Sequence, residues 1–135
     1  MKTVFADANI FIRFFTKDDR GQHLRADALL HKAAEGRIAL VTGPPIFFEI
    51  AWTLRGRYSL PKDEILDVLA RIRTLPGLRL TDAGLVDDAI ALARKTGQEF
   101  ADAYIAASMS GAGATEVATF NTRDFEQLGI KLHEF

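Results

Sequence analysis

Short apolar runs rich in β-branched residues alternate along this chain with longer stretches of helical periodicity, and that alternation is its strongest constraint on a fold. It predicts an α/β fold: a three-layer sandwich with a short, mostly parallel sheet flanked by helices. Residues 3–6 read as a buried strand delivering Asp7 at its C-terminal end, where α/β sheets carry their chemistry. Residues 10–15 continue apolar, and residues 21–35 set Leu24, Ala28, Leu29 and Ala33 at helical spacing before a stop at Gly36. A second strand is expected over 38–41. Thr42-Gly43-Pro44-Pro45 then turns into a helix that carries Glu49 about one turn in and ends at Arg55 or Arg57.

Ser59 as a cap, Pro61 in the first turn and the early acids Asp63 and Glu64 open a helix through Ile65, Leu66, Leu69 and Ile72, ended by Pro76-Gly77. A short strand over 78–80 follows. Thr81-Asp82 caps the next helix, whose apolar face holds Leu85, Ala89, Leu92 and Ala93 and which closes near Gly97. Phe100-Ala101-Asp102 opens an alanine-rich helix to Gly111, residues 116–119 form a strand, 121–125 a loop, and 130–133 a last strand. No linker or repeat interrupts the order, and 135 residues at 48% hydrophobic suit a single domain, 1–135.

Several function classes are excluded early. The chain has no cysteine, which removes disulfides, thiolate metal sites and a thiol nucleophile together and fits a reducing, cytoplasmic setting. Met1-Lys2-Thr3-Val4-Phe5 lacks the apolar core of a signal peptide, and no run approaches the ~18 apolar residues of a membrane span. A net charge of −1 argues against coating nucleic acid by charge alone. If four carboxylates are neutralised by metal, however, taking four negative charges from −1 leaves +3 for a modest phosphate-binding rim.

Four acids stand among neighbours that favour burial: Asp7 after an apolar strand, Glu49 within Ile46-Phe47-Phe48-Glu49-Ile50-Ala51-Trp52, Asp102 within Phe100-Ala101-Asp102-Ala103, and Asp124 before Phe125. A buried carboxylate protonates unless a basic group, backbone N–H groups or a cation offsets its charge. Lys and Arg are scarce beside the first three, and a divalent ion bound between carboxylates removes their mutual repulsion. Oxygen ligands point to Mg²⁺ or Mn²⁺ rather than zinc. Each acid also has an ordinary structural reading: Asp7 as a helix cap, Asp102 as a first-turn acid on the helix dipole, Asp124 as a turn residue, and Glu49 as a structural helix acid. Arg13, Arg55 and Arg123 are the cations nearest the acids in sequence. His23, His31 and His133 are scattered and read as surface or packing residues.

Taken in order, these pieces resemble the PIN-domain nucleases, and among them the VapC toxins of toxin–antitoxin pairs. Asp7-Ala8-Asn9 is similar to the family's Asp-x-Asn strand end, Glu49 to its Glu early in the helix after the second strand, and Asp102-Ala103-Tyr104-Ile105-Ala106-Ala107 to its Asp-Ala-x-Ile-Ala-Ala helix start. Thr119-Phe120-Asn121-Thr122-Arg123-Asp124-Phe125 is similar to its closing Thr-x-Asn segment. Ala8 departs from the Thr or Ser common in the family, and the last acidic position is shared between Asp124 and Asn121 as alternatives.

The resemblance implies a Mg²⁺-dependent endoribonuclease that cuts single-stranded RNA with metal-activated water. Asp7 and Asp102 would be direct ligands, Glu49 a ligand or the orienter of the attacking water, and Asp124 an outer ligand or part of a second metal site. Asn9, Thr119 and Asn121 would be hydrogen-bond partners behind them. It also implies a homodimer and a VapB-like antitoxin. The aromatic residues Phe11, Phe14, Phe15, Phe47, Phe48 and Trp52 exceed what one core stripe per helix needs, so some are expected on a second surface. Two other carboxylate enzymes fit poorly: a dehalogenase-type phosphatase needs an acid at Asn9, and a response-regulator receiver needs an acid pair and a late lysine. A catalytically inactive PIN-like module that binds metal or RNA is the remaining alternative.

Overall fold

In the computed structural model, which describes residues Met1–Phe135, the expected parallel strands pair in two separate sheets. The first lies in a compact unit spanning Met1–Ala83. There β1 (Thr3–Phe5), β2 (Ala39–Thr42) and β3 (Leu78–Leu80) run parallel in the order β1-β2-β3, with Val4 opposite Leu40 and Val41 opposite Arg79. The helices of this unit are α1 (Ala8–Phe15), α2 (Arg20–Ala34), α3 (Pro44–Gly56) and α4 (Lys62–Arg73).

Burial follows position in the sheet. Central β2 keeps Leu40, Val41 and Thr42 buried, as a strand covered on both faces requires. In β1, at the end of the order, Thr3 and Phe5 are exposed and Val4 is half-buried. The expected buried first strand is therefore a half-covered edge, because alternate side chains point to opposite faces and only one face is packed. On α1, α3 and α4, Phe11, Phe47, Ile50, Leu54, Leu69 and Ile72 are buried core residues. Each such side chain contributes roughly 1.5–3 kcal/mol by leaving water.

Local chemistry sets the helix starts. Proline occupies the first turn of α3 after the N-cap Gly43, where its missing N–H costs nothing. In α4 the expected cap at Ser59 is replaced: Pro61 holds the N-cap position without a side-chain bond, and Ser59 takes a left-handed φ of 55° to turn the chain. At the far end of α4, Gly77 has φ +79° and lies against the Ala33 carbonyl, leaving no room for a Cβ.

The second unit, Gly84–Phe135, holds all but the first residue of α5 (Ala83–Thr96), then α6 (Phe100–Met109), β4 (Glu116–Val117), α7 (Thr122–Gln127) and β5 (Lys131–Leu132). β4 and β5 pair in parallel, Glu116 opposite Lys131 and Val117 opposite Leu132, with α7 as the crossover. Both strands are two residues long where four were expected. The core face of α5 is Val86, Ala89, Ile90 and Ala93; Ala89 and Ala93 lie on it as expected, whereas Leu85 and Leu92 are only half-buried. Residues 122–125, expected in a loop, begin α7, and Phe125 and Leu128 are buried on its inner side. No helix is long and apolar enough to cross a membrane.

Candidate catalytic carboxylates

Asp7 follows β1 and stands at the N-cap of α1, with φ −80° and ψ 166°. Its Oδ1 accepts a hydrogen bond from the Ala8 N–H at 2.8 Å, so the capping role is real and occupies one carboxylate oxygen. The backbone leading to it is fixed from both sides: Ala6 N–H donates to the Val41 carbonyl at 2.8 Å, and the buried Thr42 hydroxyl donates to the Ala6 carbonyl at 3.1 Å. Asp7 itself is exposed.

Glu49 is also exposed, although its neighbours Phe47 and Ile50 are buried. Successive helical residues diverge by about 100°, which separates Glu49 from the apolar positions around it in sequence. Trp52, one turn on, is 81% exposed. The aromatic surplus is thus divided: Phe11 and Phe47 fill the core, Phe14, Phe15 and Phe48 are half-buried, and Trp52 reaches solvent.

Asn9 is exposed on α1 and lines a cleft of about 510 Å³ with Ile10, Arg13, Arg25, Leu29 and Lys32. Arg13 is tied to structure nearby, donating to Asp18 Oδ1 at 3.0 Å and to Gln22 Oε1 at 2.8 Å. Asp18 is held down to about 2, chiefly by the Tyr58 hydroxyl that donates to it at 2.8 Å, with Thr16 and Arg13 adding to the effect. His23 meets the Arg13 carbonyl through Nδ1 at 2.9 Å, and Arg55 donates to the Leu60 carbonyl at 3.3 Å.

In the second unit, neighbouring carboxylates act on Asp102. Asp102 stands in the first turn of α6 and Asp124 in the first turn of α7, and both are half-buried. Burial, then the charges of Asp124 and Glu99, push the Asp102 carboxyl above the usual carboxylate range. Asp124 is in turn held by Asn121, whose Nδ2 donates to its Oδ2 at 2.9 Å. The Asn121 N–H donates to Thr119 Oγ1 at 2.9 Å. Thr119, Asn121 and Asp124 therefore form one hydrogen-bonded chain. Asn121 spends its side chain on Asp124 rather than on capping α7. Glu99, the N-cap residue of α6, is an acid the sequence reading overlooked; its signal was the spacing of three residues before Asp102 on a helix start.

Within neither unit do three or more His, Asp or Glu side chains gather into a metal-binding cluster. Carboxylate oxygens are donors that a hard divalent cation such as Mg²⁺ or Mn²⁺ accepts, and such an ion would offset the charge that Asp124 exerts on Asp102.

Comparison with known proteins bears on the same residues. No curated protein matches the sequence. The PIN domain family model matches residues 4–131, from β1 to β5, and takes in all four acids. With its parallel strands, seven helices and this match over nearly its whole length, the chain belongs to the PIN domain family and has a nuclease-type fold.

Proposed function

We propose that this protein is a Mg²⁺-dependent endoribonuclease of the VapC toxin type, with Asp7, Glu49, Asp102 and Asp124 as its catalytic and metal-binding carboxylates. The observation that carries the reading is the effect of the Asp124 charge on Asp102, two half-buried acids from different helices, with Asp124 oriented by Asn121. A structural role would have neutralised that repulsion with a lysine or arginine; a metal site keeps it for the ion. In this reading residues 1–135 make up one nuclease domain, supported by the family match over 4–131.

When bound, Mg²⁺, or Mn²⁺ in its place, supplies a water of lowered pKa and offsets charge on the phosphate. The chain's own groups do the positioning. Asp7 and Asp102 would hold the cation directly, Glu49 would bind it or orient the attacking water, and Asp124, fixed by Asn121 and Thr119, would be an outer ligand or part of a second metal site. Asn9 is an outer hydrogen-bonding partner. The substrate is single-stranded RNA and the setting the cytoplasm. A VapB-like antitoxin and a homodimer complete the proposal, supported by the exposure of Trp52 on α3.

The test compares RNA cleavage and growth arrest, with Mg²⁺ or Mn²⁺ and with chelator, for the wild-type chain and folded Asp7→Asn and Asp102→Asn variants. Metal-dependent cleavage lost in both variants is the expected result; equal activity in all three proteins overturns the assignment. One observation favours a second reading, a catalytically inactive metal- or RNA-binding module: within neither unit do three carboxylates lie close enough to hold one metal ion. Metal or RNA binding without cleavage of any RNA would select it.

A further inference from the structure

Beside the Thr119–Asn121–Asp124 chain lies a group of rings that the carboxylate chemistry does not use. Phe120 is 92% exposed and Phe135 76% exposed, yet their ring centroids are 5.3 Å apart. The His133 ring lies nearly parallel to Phe135, at 9° and 6.4 Å. His133 is held in place by Glu116, whose Oε1 is 2.9 Å from Nδ1, and Glu116 is further fixed by Lys131 at 3.2 Å. Large aromatic side chains left in water and packed mainly on each other contribute little to a core, and rings held open in this way are surfaces for another ring.

The space they border is about 360 Å³, and Thr119, Thr122 and Glu134 share in lining it. That volume falls within the range of small-molecule sites. Its chemistry selects the occupant. The lining has a carboxylate and two hydroxyls but no lysine or arginine, so it repels a phosphate and suits the flat face and polar edge of a base. It is also continuous with the proposed site, because Thr119 both lines the space and accepts the Asn121 hydrogen bond.

Resting on the nuclease reading, we propose that Phe120, Phe135 and His133 form a stacking subsite for an unpaired base of the RNA strand, adjoining the Asp124 carboxylate. Every base has a π-face, so such a platform recognises single-strandedness rather than sequence. A base in a duplex is already stacked and cannot enter.

The experiment measures binding and cleavage separately. Fluorescence anisotropy in EDTA follows a labelled single-stranded RNA of about 12 nucleotides, and steady-state cleavage in Mg²⁺ follows the same strand, for wild type, Phe120→Ala/Phe135→Ala and Phe120→Trp. Loss of a stacked base raises Kd by about fivefold or more. The expected result is that rise in the double variant, a matching rise in KM with kcat little changed, and near wild-type values for Phe120→Trp. Ring-dependent binding without cleavage by any of the proteins supports the subsite and overturns the nuclease reading. Cleavage with Kd and KM unmoved in the double variant overturns the subsite and leaves the nuclease standing. Sedimentation of the same proteins adds a further outcome: a change in oligomeric state with unchanged RNA binding assigns the rings to protein contact and overturns the proposal.

Discussion

Asn121 donates from Nδ2 to Oδ2 of Asp124 at 2.9 Å, so the last amide and the last acid of the motif work as one unit. Partners that orient a metal-binding carboxylate typically account for about 10- to 100-fold in metal affinity or activity. Asn121→Ala should therefore lower kcat/KM by about that factor and shift the Mg²⁺ titration to higher concentration, while Asp124→Ala should cost more. An unchanged Mg²⁺ dependence in Asn121→Ala would remove Asn121 from the site.

Asp102 should oppose stability while serving function. Its carboxyl is raised by burial and by the Asp124 and Glu99 charges, so between the ordinary carboxylate pKa and the raised one the folded chain binds more protons than the unfolded chain. Stability then falls as pH rises through that window and stays lower above it. Asp102→Asn should melt at a higher temperature than wild type at neutral pH without metal. That difference should shrink on acidification below the window, and also when Mg²⁺ is added to the wild type. Thermal melts across pH, with and without Mg²⁺, check both the sign and the metal effect.

Two glycines with left-handed φ separate backbone strain from steric clash. Gly36 has φ +74° and open space around its missing Cβ, whereas Gly77, at φ +79°, lies against the Ala33 carbonyl. Gly36→Ala should cost roughly 1–2 kcal/mol for the left-handed conformation alone. Gly77→Ala should cost more than that, since the turn before β3 must also move away from α2. Urea denaturation of the two variants gives the difference directly; equal losses would contradict the close approach.

Phe47 and Trp52 lie on opposite sides of the same helix. Phe47 is fully buried and Trp52 81% exposed, so Phe47→Ala should lose about 3–5 kcal/mol. Trp52→Ala should stay within about 0.5 kcal/mol. If Trp52 belongs to the dimer or antitoxin surface, its alanine variant should weaken association with melting unchanged, as sedimentation and antitoxin titration would show.

The order of elements, the parallel pairing, the delivery of Asp7 by β1 and the start of an acid-bearing helix at Phe100 were legible in the sequence. They rest on local signals: side-chain period, β-branching, and the proline and glycine that begin and end helices. The candidate acids were legible for a related reason, since a carboxylate among apolar neighbours stands out along the chain. What local order could not reveal was the environment each acid enters. Glu49 and Asp7 face water despite their apolar neighbours, because a helix turns each residue about 100° from the last and a cap lies at a helix end. Asp102 and Asp124, 22 positions apart in the numbering, repel one another through α6 and α7.

The same limit explains the elements that differed. Residues 122–125 looked like a loop because Asn121, Thr122 and Asp124 favour turns, but burial of Phe125 and Leu128 stabilises a helix there. β1 read as a buried strand because hydrophobicity is visible in a sequence, while its place at the end of the β1-β2-β3 order is not. The sequence by itself determined the class of fold and the inventory of carboxylates, since both depend on residue type and spacing. Only the tertiary structure decided which acids feel each other's charge, which amide orients Asp124 and which rings remain in water, because those depend on distances between elements far apart along the chain.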